Sequence, residues 1–334
     1  MFQTFKTDNK IEKIEDLKNS FILGDRVESL RKIPDNSISF IFTSPPYNVE
    51  KNYNNHNDDM ELDEYLSFLY DTWKECFRTL KDGGRMVINV PFSITKYKNK
   101  VKKLIPINSI ILLQMEEIGF TYRNDIVWNK DNVTSRTAWG SFKSPSSPYV
   151  VGPYELLLIF HKNNKVLSGN KEDIDITKEE FIKFSFGMWN IMPETTKHKN
   201  HPAPFPKELV YRLIKFYTYK NDIILDPFSG TGTVAEVCKN NGRNFIYIDN
   251  CEDYLNYAKE EIDKIKEIKE KKIIKQNYDS LKKFILNKIK EKDYDKSKIE
   301  LIFNEIKEEI LNEKDFSKHE SVFGKTSDGL KEKI

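Results

Sequence analysis

Two constellations in this 334-residue chain hold residue types that could do chemistry. The first is Ser44-Pro45-Pro46-Tyr47. Each proline fixes its own φ and pushes the residue before it out of the helical region, so Ser44 and Pro45 belong in an extended, stiff turn. Such a turn offers the Ser44 hydroxyl and the Pro45 carbonyl as acceptors in fixed positions, with the Tyr47 ring beside them. An exocyclic amino group on a base carries two N–H donors and a lone pair delocalised into the ring. Holding both donors on acceptors favours a more pyramidal nitrogen and frees the lone pair for attack. Tyr47 could stack on the face of a base taken out of its helix. Four residues taken alone are equally consistent with an ordinary strand-to-loop turn containing a diproline.

The second constellation is Asp226-Pro227-Phe228-Ser229-Gly230-Thr231-Gly232-Thr233, set between an apolar strand, Ile223–Leu225, and a helix beginning near Val234. Gly230 and Gly232 let the backbone approach a ligand closely, and the helix N-terminus favours a carboxylate. A hydrolase elbow would show G-x-S-x-G and a dinucleotide fold G-x-G-x-x-G; neither fits. The following strand, Asn244–Ile248, ends in Asp249, where an acid commonly holds ribose hydroxyls. Strand, glycine loop, helix, strand and acid together point to an adenosyl ligand, against the plainer reading of a β–α turn.

The elements that must position these residues read as an open α/β sheet. Ile38–Phe42 is a β-branched and aromatic run expected as a buried strand, which puts the diproline turn at a carboxyl end, where such sheets bind ligands. Phe21–Leu23 is a second strand, ending in Gly24-Asp25; Asp25 could cap the short helix Val27–Ile33. Asn52–Asp59 is polar and expected as a loop over the site. Leu62, Tyr65, Leu66, Leu69, Trp73, Cys76, Phe77 and Leu80 mark one face of an amphipathic helix, which Gly83-Gly84 is expected to end. Strands follow at Met86–Val90, Phe120–Trp128 and Glu155–His161, and helices at Ile107–Ile118 and Lys207–Tyr217. Long irregular stretches lie around residues 131–154 and 162–200, the second with Phe184, Phe186, Met188 and Trp189 expected at the surface. Lys96, Lys98, Lys100, Lys102 and Lys103 form either a solvated face or a phosphate-contacting patch.

Here a resemblance becomes plain. Phe42-Thr43-Ser44-Pro45-Pro46-Tyr47 resembles the catalytic motif of DNA amino-methyltransferases, in the serine form typical of enzymes acting on N4 of cytosine. DPFSGTGT resembles the S-adenosylmethionine loop of the same enzymes. The catalytic turn precedes the cofactor loop, as in the beta group, a circular permutation of the common methyltransferase sheet. The resemblance covers about Phe21 to Ile262. It implies a permuted S-adenosylmethionine-dependent, Rossmann-like sheet with helices on both faces over residues 1–262. A target-recognition region falls at about 131–200. It also implies that Ser44, Pro45, Pro46 and Tyr47 are catalytic, that Asp25 lies near the cofactor's adenine, and that His201–Pro206, with Phe205, borders its methionine end. Asp226, Phe228, Ser229, Gly230, Thr231, Gly232, Thr233 and Asp249 complete the implied cofactor site, and the five lysines are assigned to DNA. The implied partners are double-stranded DNA and a separate cognate restriction endonuclease of a restriction-modification system.

Composition narrows the alternatives. Net charge is +2, so a DNA surface must be a local patch rather than a global property. No apolar run approaches the ~20 residues of a membrane span, and MFQTFKTDNK lacks the apolar core of a secretory signal. The three cysteines are scattered, which fits a reducing cytoplasm, bacterial or archaeal, and none follows a proline as the nucleophile of C5-cytosine enzymes does. His198 and His201 lack a carboxylate or cysteine partner, so no metal is expected. Residues 263–334 are rich in Lys and Glu with apolar residues at helical spacing. They are expected as a helical extension that could pack on the domain, form a homodimer or touch DNA.

The expected reaction is direct methyl transfer to an exocyclic amine, with N4 of cytosine preferred over N6 of adenine. The protein's part is alignment, because the cofactor carries the reactive group. A protein or small-molecule methyltransferase competes, although such relatives usually carry Asn at position 44 and place the cofactor loop first. A non-enzymatic DNA-binding module would not need an adenosyl pocket.

Overall fold

The computed structural model describes residues 3–6, 13–49, 52–53, 56–98, 101–130, 140–150, 152–194 and 205–264. The chain divides into two units, Met1–Ile262 and Asp263–Ile334. The expected helical extension falls in the second, of which only 263–264 are described.

The strands of the first unit are β1 (Thr4–Lys6), β2 (Ser20–Leu23), β3 (Ile38–Thr43), β4 (Asn52–Tyr53), β5 (His56–Asn57), β6 (Leu80–Pro91) and β7 (Ile94–Lys98). They continue with β8 (Val101–Ile105), β9 (Phe120–Asn129), β10 (Tyr154–Lys162), β11 (Met188–Asn190), β12 (Ile223–Asp226) and β13 (Asn244–Asp249). Nine of them form one sheet in the order β1-β2-β13-β12-β3-β6-β10-β9-β11. The strands from β1 to β6 in that order run parallel, and β10 runs antiparallel to both β6 and β9. The turn after β3 and the loop after β12 therefore leave neighbouring strands at the same edge, although 183 residues separate them in sequence.

Side-chain alternation explains why both faces are covered. All six residues of β3 are buried. Phe40 and Phe42 face α5 (Lys207–Tyr217) and α6 (Thr233–Asn240), through Leu213, Ile214, Val234 and Cys238. Ile41 faces the other way, with Leu69 and Trp73 of α2 (Leu62–Thr79) and Ile111 of α3 (Ile107–Ile118). Burying an aromatic side chain of this size stabilises the fold by about 1.5–3 kcal/mol.

Two local expectations are corrected. Gly83-Gly84 does not end α2; that helix stops at Thr79, and Leu80 already has extended backbone. The glycines lie in β6, at a break in register where the partners of β3 jump from Leu80 to Arg85. Gly83 has φ +74°, and a Cβ there would lie 2.0 Å from the Val166 carbonyl oxygen, so only glycine fits. Phe184 and Trp189 are core residues, 3% and 1% exposed, because β11 adds to the sheet edge beside β9 and α4 (Lys178–Phe184) packs under it. Phe186 and Met188 are exposed as expected. The lysine run is a β-hairpin, with Lys96 opposite Lys103 across β7 and β8.

Candidate active site

The Ser44–Tyr47 turn is held from behind. Tyr65 Oη donates to the Pro46 carbonyl at 2.7 Å. Asn48 sits in the left-handed region at φ +59°; its backbone N–H donates to Asp58 at 2.7 Å, and its side chain both donates to and accepts from the Met60 backbone. No described residue donates to the Pro45 carbonyl, which remains an available acceptor as the diproline argument requires.

Beside the turn lies a polar cluster drawn from three further elements. Asn89 of β6 donates through Nδ2 to Glu155 at 2.7 Å, to Tyr47 Oη at 2.9 Å and, at a long 3.4 Å, to Ser44 Oγ. Tyr47 Oη lies 3.0 Å from Ser44 Oγ and donates to Glu155 Oε2 at 3.1 Å. Lys130, just beyond β9, pairs with the other oxygen of Glu155 and stands 4.6 Å above the Trp128 ring. Asn89 and Glu155 share a face because Asn89 is opposite Leu157, two residues from Glu155 in β10.

The second half of the site is the loop after β12. Gly230 and Gly232 have φ +49° and +81°, and Gly232 is the N-cap of α6. Ser229 braces the loop rather than pointing outward: its hydroxyl donates to the Asp226 carbonyl at 2.8 Å and accepts from Ile248 N–H at 3.1 Å. Asp249, at the end of β13, accepts from Gly230 N–H at 2.8 Å and Cys251 N–H at 2.9 Å. Burial pushes its carboxyl up to about 6, opposed by those backbone donors. Asp226 is pushed up to about 7, again by burial, against hydrogen bonds from Thr43 and the Phe228 N–H. Both carboxyls, at the ends of the adjacent strands β12 and β13, are thus held above the ordinary carboxylate range.

One cleft of about 290 Å³ joins the two halves, near the lower end of the ligand-pocket range. Its walls include Asp25, Ser44, Pro45, Pro46, Tyr47, Phe205, Phe228, Ser229, Gly230, Thr231, Thr233 and Asp249, all expected from the sequence. Asp226 and Gly232 lie behind the wall. Asp25 also caps α1 (Arg26–Leu30), accepting from Val27 and Glu28 N–H, and pairs with Arg26 at 2.9 Å. Phe205 packs edge-on against Phe42 at 5.0 Å. Asn89, Trp128, Lys130, Glu155 and Phe68 also line the cleft and were not expected. Two left a trace in the sequence: Asn89 is the one polar residue in Met86–Val90, and Glu155 is the acid that opens an apolar strand.

The lysines do not line this cleft. Lys96 pairs with Asp59 at 3.0 Å and Lys103 is exposed, whereas Lys98 and Lys102 are described only as strand backbone. Lys100, His198 and His201 lie outside the described residues, as do 131–139 and 195–200 of the expected recognition region. Among the described residues no group of His, Cys, Asp and Glu could hold a metal ion, and no helix is long and apolar enough to cross a membrane.

Comparison with known proteins agrees with this geometry. A family profile described as DNA methylase matches residues 38–260, which span both the turn and the loop. The type II methyltransferase M.MjaVI of Methanocaldococcus jannaschii is 39% identical over 190 residues, 57% of this chain and 91% of that one. M.MjaI of the same organism is 31% identical, covering 68% of this chain and 86% of its own. Among solved structures, TTHA0409 of Thermus thermophilus, assigned as a DNA modification methylase and complexed with S-adenosyl-L-methionine, aligns with a TM-score of 0.59. It is 26% identical over 72% of this chain and 95% of that one. PvuII DNA methyltransferase (cytosine-N4-specific) shares the fold, with a TM-score of 0.54 at 20% identity over 72% of this chain and 85% of that one.

Proposed function

This chain belongs to the DNA methylase family and is an S-adenosylmethionine-dependent DNA amino-methyltransferase, and we propose that its target atom is N4 of cytosine. The observation that carries this choice is Ser44, a neutral hydroxyl at the head of the turn, in the serine form that typifies enzymes acting on cytosine N4. N6 of adenine is the competing target, because the Ser44 hydroxyl and Pro45 carbonyl could accept from either amine. The type II modification enzymes it resembles suggest the same role here, on double-stranded DNA and with a cognate endonuclease acting separately.

The residues present fit the cofactor. Gly230, Thr231 and Thr233 bring the loop to the cleft, the α6 N-terminus offers N–H groups that would suit a carboxylate, and Asp249, held by the Gly230 N–H, is an acceptor of the kind that suits ribose hydroxyls. In this reading Asp226–Thr233 with Asp249 hold the cofactor, Asp25 stands on the adenine side, and Phe205 borders the methionine end. When bound, S-adenosylmethionine would supply a sulfonium methyl for the amine nitrogen. The chain's own work is positioning. Ser44 Oγ and the Pro45 carbonyl accept hydrogen bonds from the two amine N–H groups, and the Tyr47 ring stacks on the flipped base. The Lys96–Lys103 hairpin contacts phosphates, and parts of residues 131–200 read the sequence.

Mass spectrometry of nucleosides from DNA modified by the purified protein tests the target. N4-methylcytosine is expected; N6-methyladenine without N4-methylcytosine overturns the choice of base.

A further inference from the structure

Amine methylation leaves a proton to be removed from nitrogen, and a serine hydroxyl is a weak base. The hydrogen bonds behind Ser44 have a direction that bears on this. A carboxylate can only accept, so Asn89 Nδ2–H and Tyr47 Oη–H both point to Glu155 Oε2, at 2.7 and 3.1 Å. That fixes the Asn89 amide with its nitrogen toward the acid. With its proton committed to Glu155, Tyr47 Oη is an acceptor toward Ser44 at 3.0 Å and Asn89 at 2.9 Å. Ser44 then donates to Tyr47 and keeps a lone pair for the cleft it lines. Lys130 holds the other oxygen of Glu155, which turns Oε2 toward Tyr47. The acid thus makes Ser44 an acceptor for an amine.

Resting on the function proposed above, we infer that Glu155 is the terminal proton acceptor of the reaction, reached from the target amine through Ser44 Oγ and Tyr47 Oη. An N–H proton of the amine passes to Ser44 Oγ, the Ser44 proton to Tyr47 Oη, and the Tyr47 proton to Glu155 Oε2. Each hydroxyl gains one proton and loses one, so both end as they began. The nitrogen is left neutral with its new bond to carbon, and Glu155 ends as a carboxylic acid that returns its proton to water between turnovers. In this relay Glu155 acts through two hydroxyls, as a positioning residue and proton sink.

Glutamine at position 155 keeps the shape and one acceptor oxygen for Asn89 and Tyr47, gives up the pair with Lys130, and cannot take a proton. The test uses the full chain, S-adenosylmethionine and whole-genome-amplified DNA, which carries no methylated bases. Glu155→Gln is expected to lower the single-turnover rate about 100-fold, the scale of general-base catalysis, with cofactor and DNA affinities unchanged. Added formate, and not chloride, should restore transfer in Glu155→Ala. Glu155→Gln with Tyr47→Phe should be no slower than the slower single variant, because both cut one relay. A Glu155→Gln enzyme at the wild-type rate, or one whose loss is matched by weakened cofactor or DNA binding, overturns the inference while the function stands. A wild-type protein that methylates no base amine overturns both.

Discussion

Thr43 Oγ1 donates to Asp226 Oδ1 at 2.7 Å, joining the last residue of β3 to the last residue of β12. At the other end of the same strand pair Ser39 Oγ donates to Asp222 at 2.6 Å. The residue that leads into the Ser44–Tyr47 turn is therefore tied directly to the residue that leads into the Gly230–Gly232 loop. Methyl transfer needs nitrogen, methyl and sulfur in line, and effective molarity falls steeply with small misplacements. A buried hydrogen bond across the two strands is a short and stiff way to set that distance.

Thr43→Val should loosen this tie in a pH-dependent way. Burial pushes Asp226 up to about 7, so the folded chain holds a proton that the unfolded chain gives up near the ordinary carboxylate value. Burial of Asp226 thus weakens the fold as pH rises from about 4 to about 7, and fully above that. Thr43 offsets part of this weakening by donating to the ionised form. Its loss is expected to destabilise the protein by about 1–3 kcal/mol at high pH and by less under acid conditions. Urea unfolding on either side of neutrality checks it, and Asp226→Asn should remove the pH dependence.

Cofactor affinity should fall in acid. Asp249 is pushed up to about 6 by burial, and in the proposed cofactor site its ionised form is the one that would accept ribose hydroxyls. Protonation below that value competes with the ligand, weakening binding by up to about tenfold per pH unit. Calorimetry with S-adenosylmethionine across the range from about pH 5 to about pH 8 measures this. A flat profile places Asp249 away from the ligand.

Both halves of the site were legible in the sequence because their chemistry is local. Two prolines stiffen one turn and two glycines open the other, whatever surrounds them. Asn89 and Glu155 were not legible, because they meet only through the antiparallel register that sets Leu157 opposite Asn89. Local pattern cannot fix which strands pair. The same cause hid Trp189, which reads as an exposed aromatic in a polar stretch. It is buried because Met188–Asn190 pairs with β9, and the Arg212 guanidinium covers its ring at 5.5 Å. Gly83-Gly84 misled for the opposite reason, since a glycine pair after a helix resembles a cap when the Val166 carbonyl it accommodates lies 83 residues downstream.

Gly232→Val should damage the fold as well as the cofactor site. At φ +81° a Cβ would lie 2.5 Å from the Cβ of Ala258, a helical residue behind the loop. A β-branched side chain there is both sterically blocked and in a backbone region it avoids, so a loss of about 2–4 kcal/mol is expected. Thermal unfolding without ligand separates this from lost binding. An unchanged midpoint would mean that the helix behind the loop yields.

The lysine hairpin gives the sharpest test of where DNA sits. Lys96 and Lys103 are opposite each other on β7 and β8, but they are not equivalent. Lys96 already has Asp59 at 3.0 Å and is 19% exposed in its side chain, whereas Lys103 is exposed. A cation that neutralises a phosphate releases a counterion, and each such contact contributes about 0.9 to the slope of log affinity against log salt on duplex DNA. Lys103→Gln should flatten that slope by about one contact and weaken binding to all sequences alike. Lys96→Gln should do less, because Asp59 competes with phosphate for its charge. Asp59→Asn releases that charge and is expected to steepen the slope. Fluorescence anisotropy with a labelled duplex over a salt series reads all three, and a slope unmoved by Lys103→Gln would take the hairpin off the DNA.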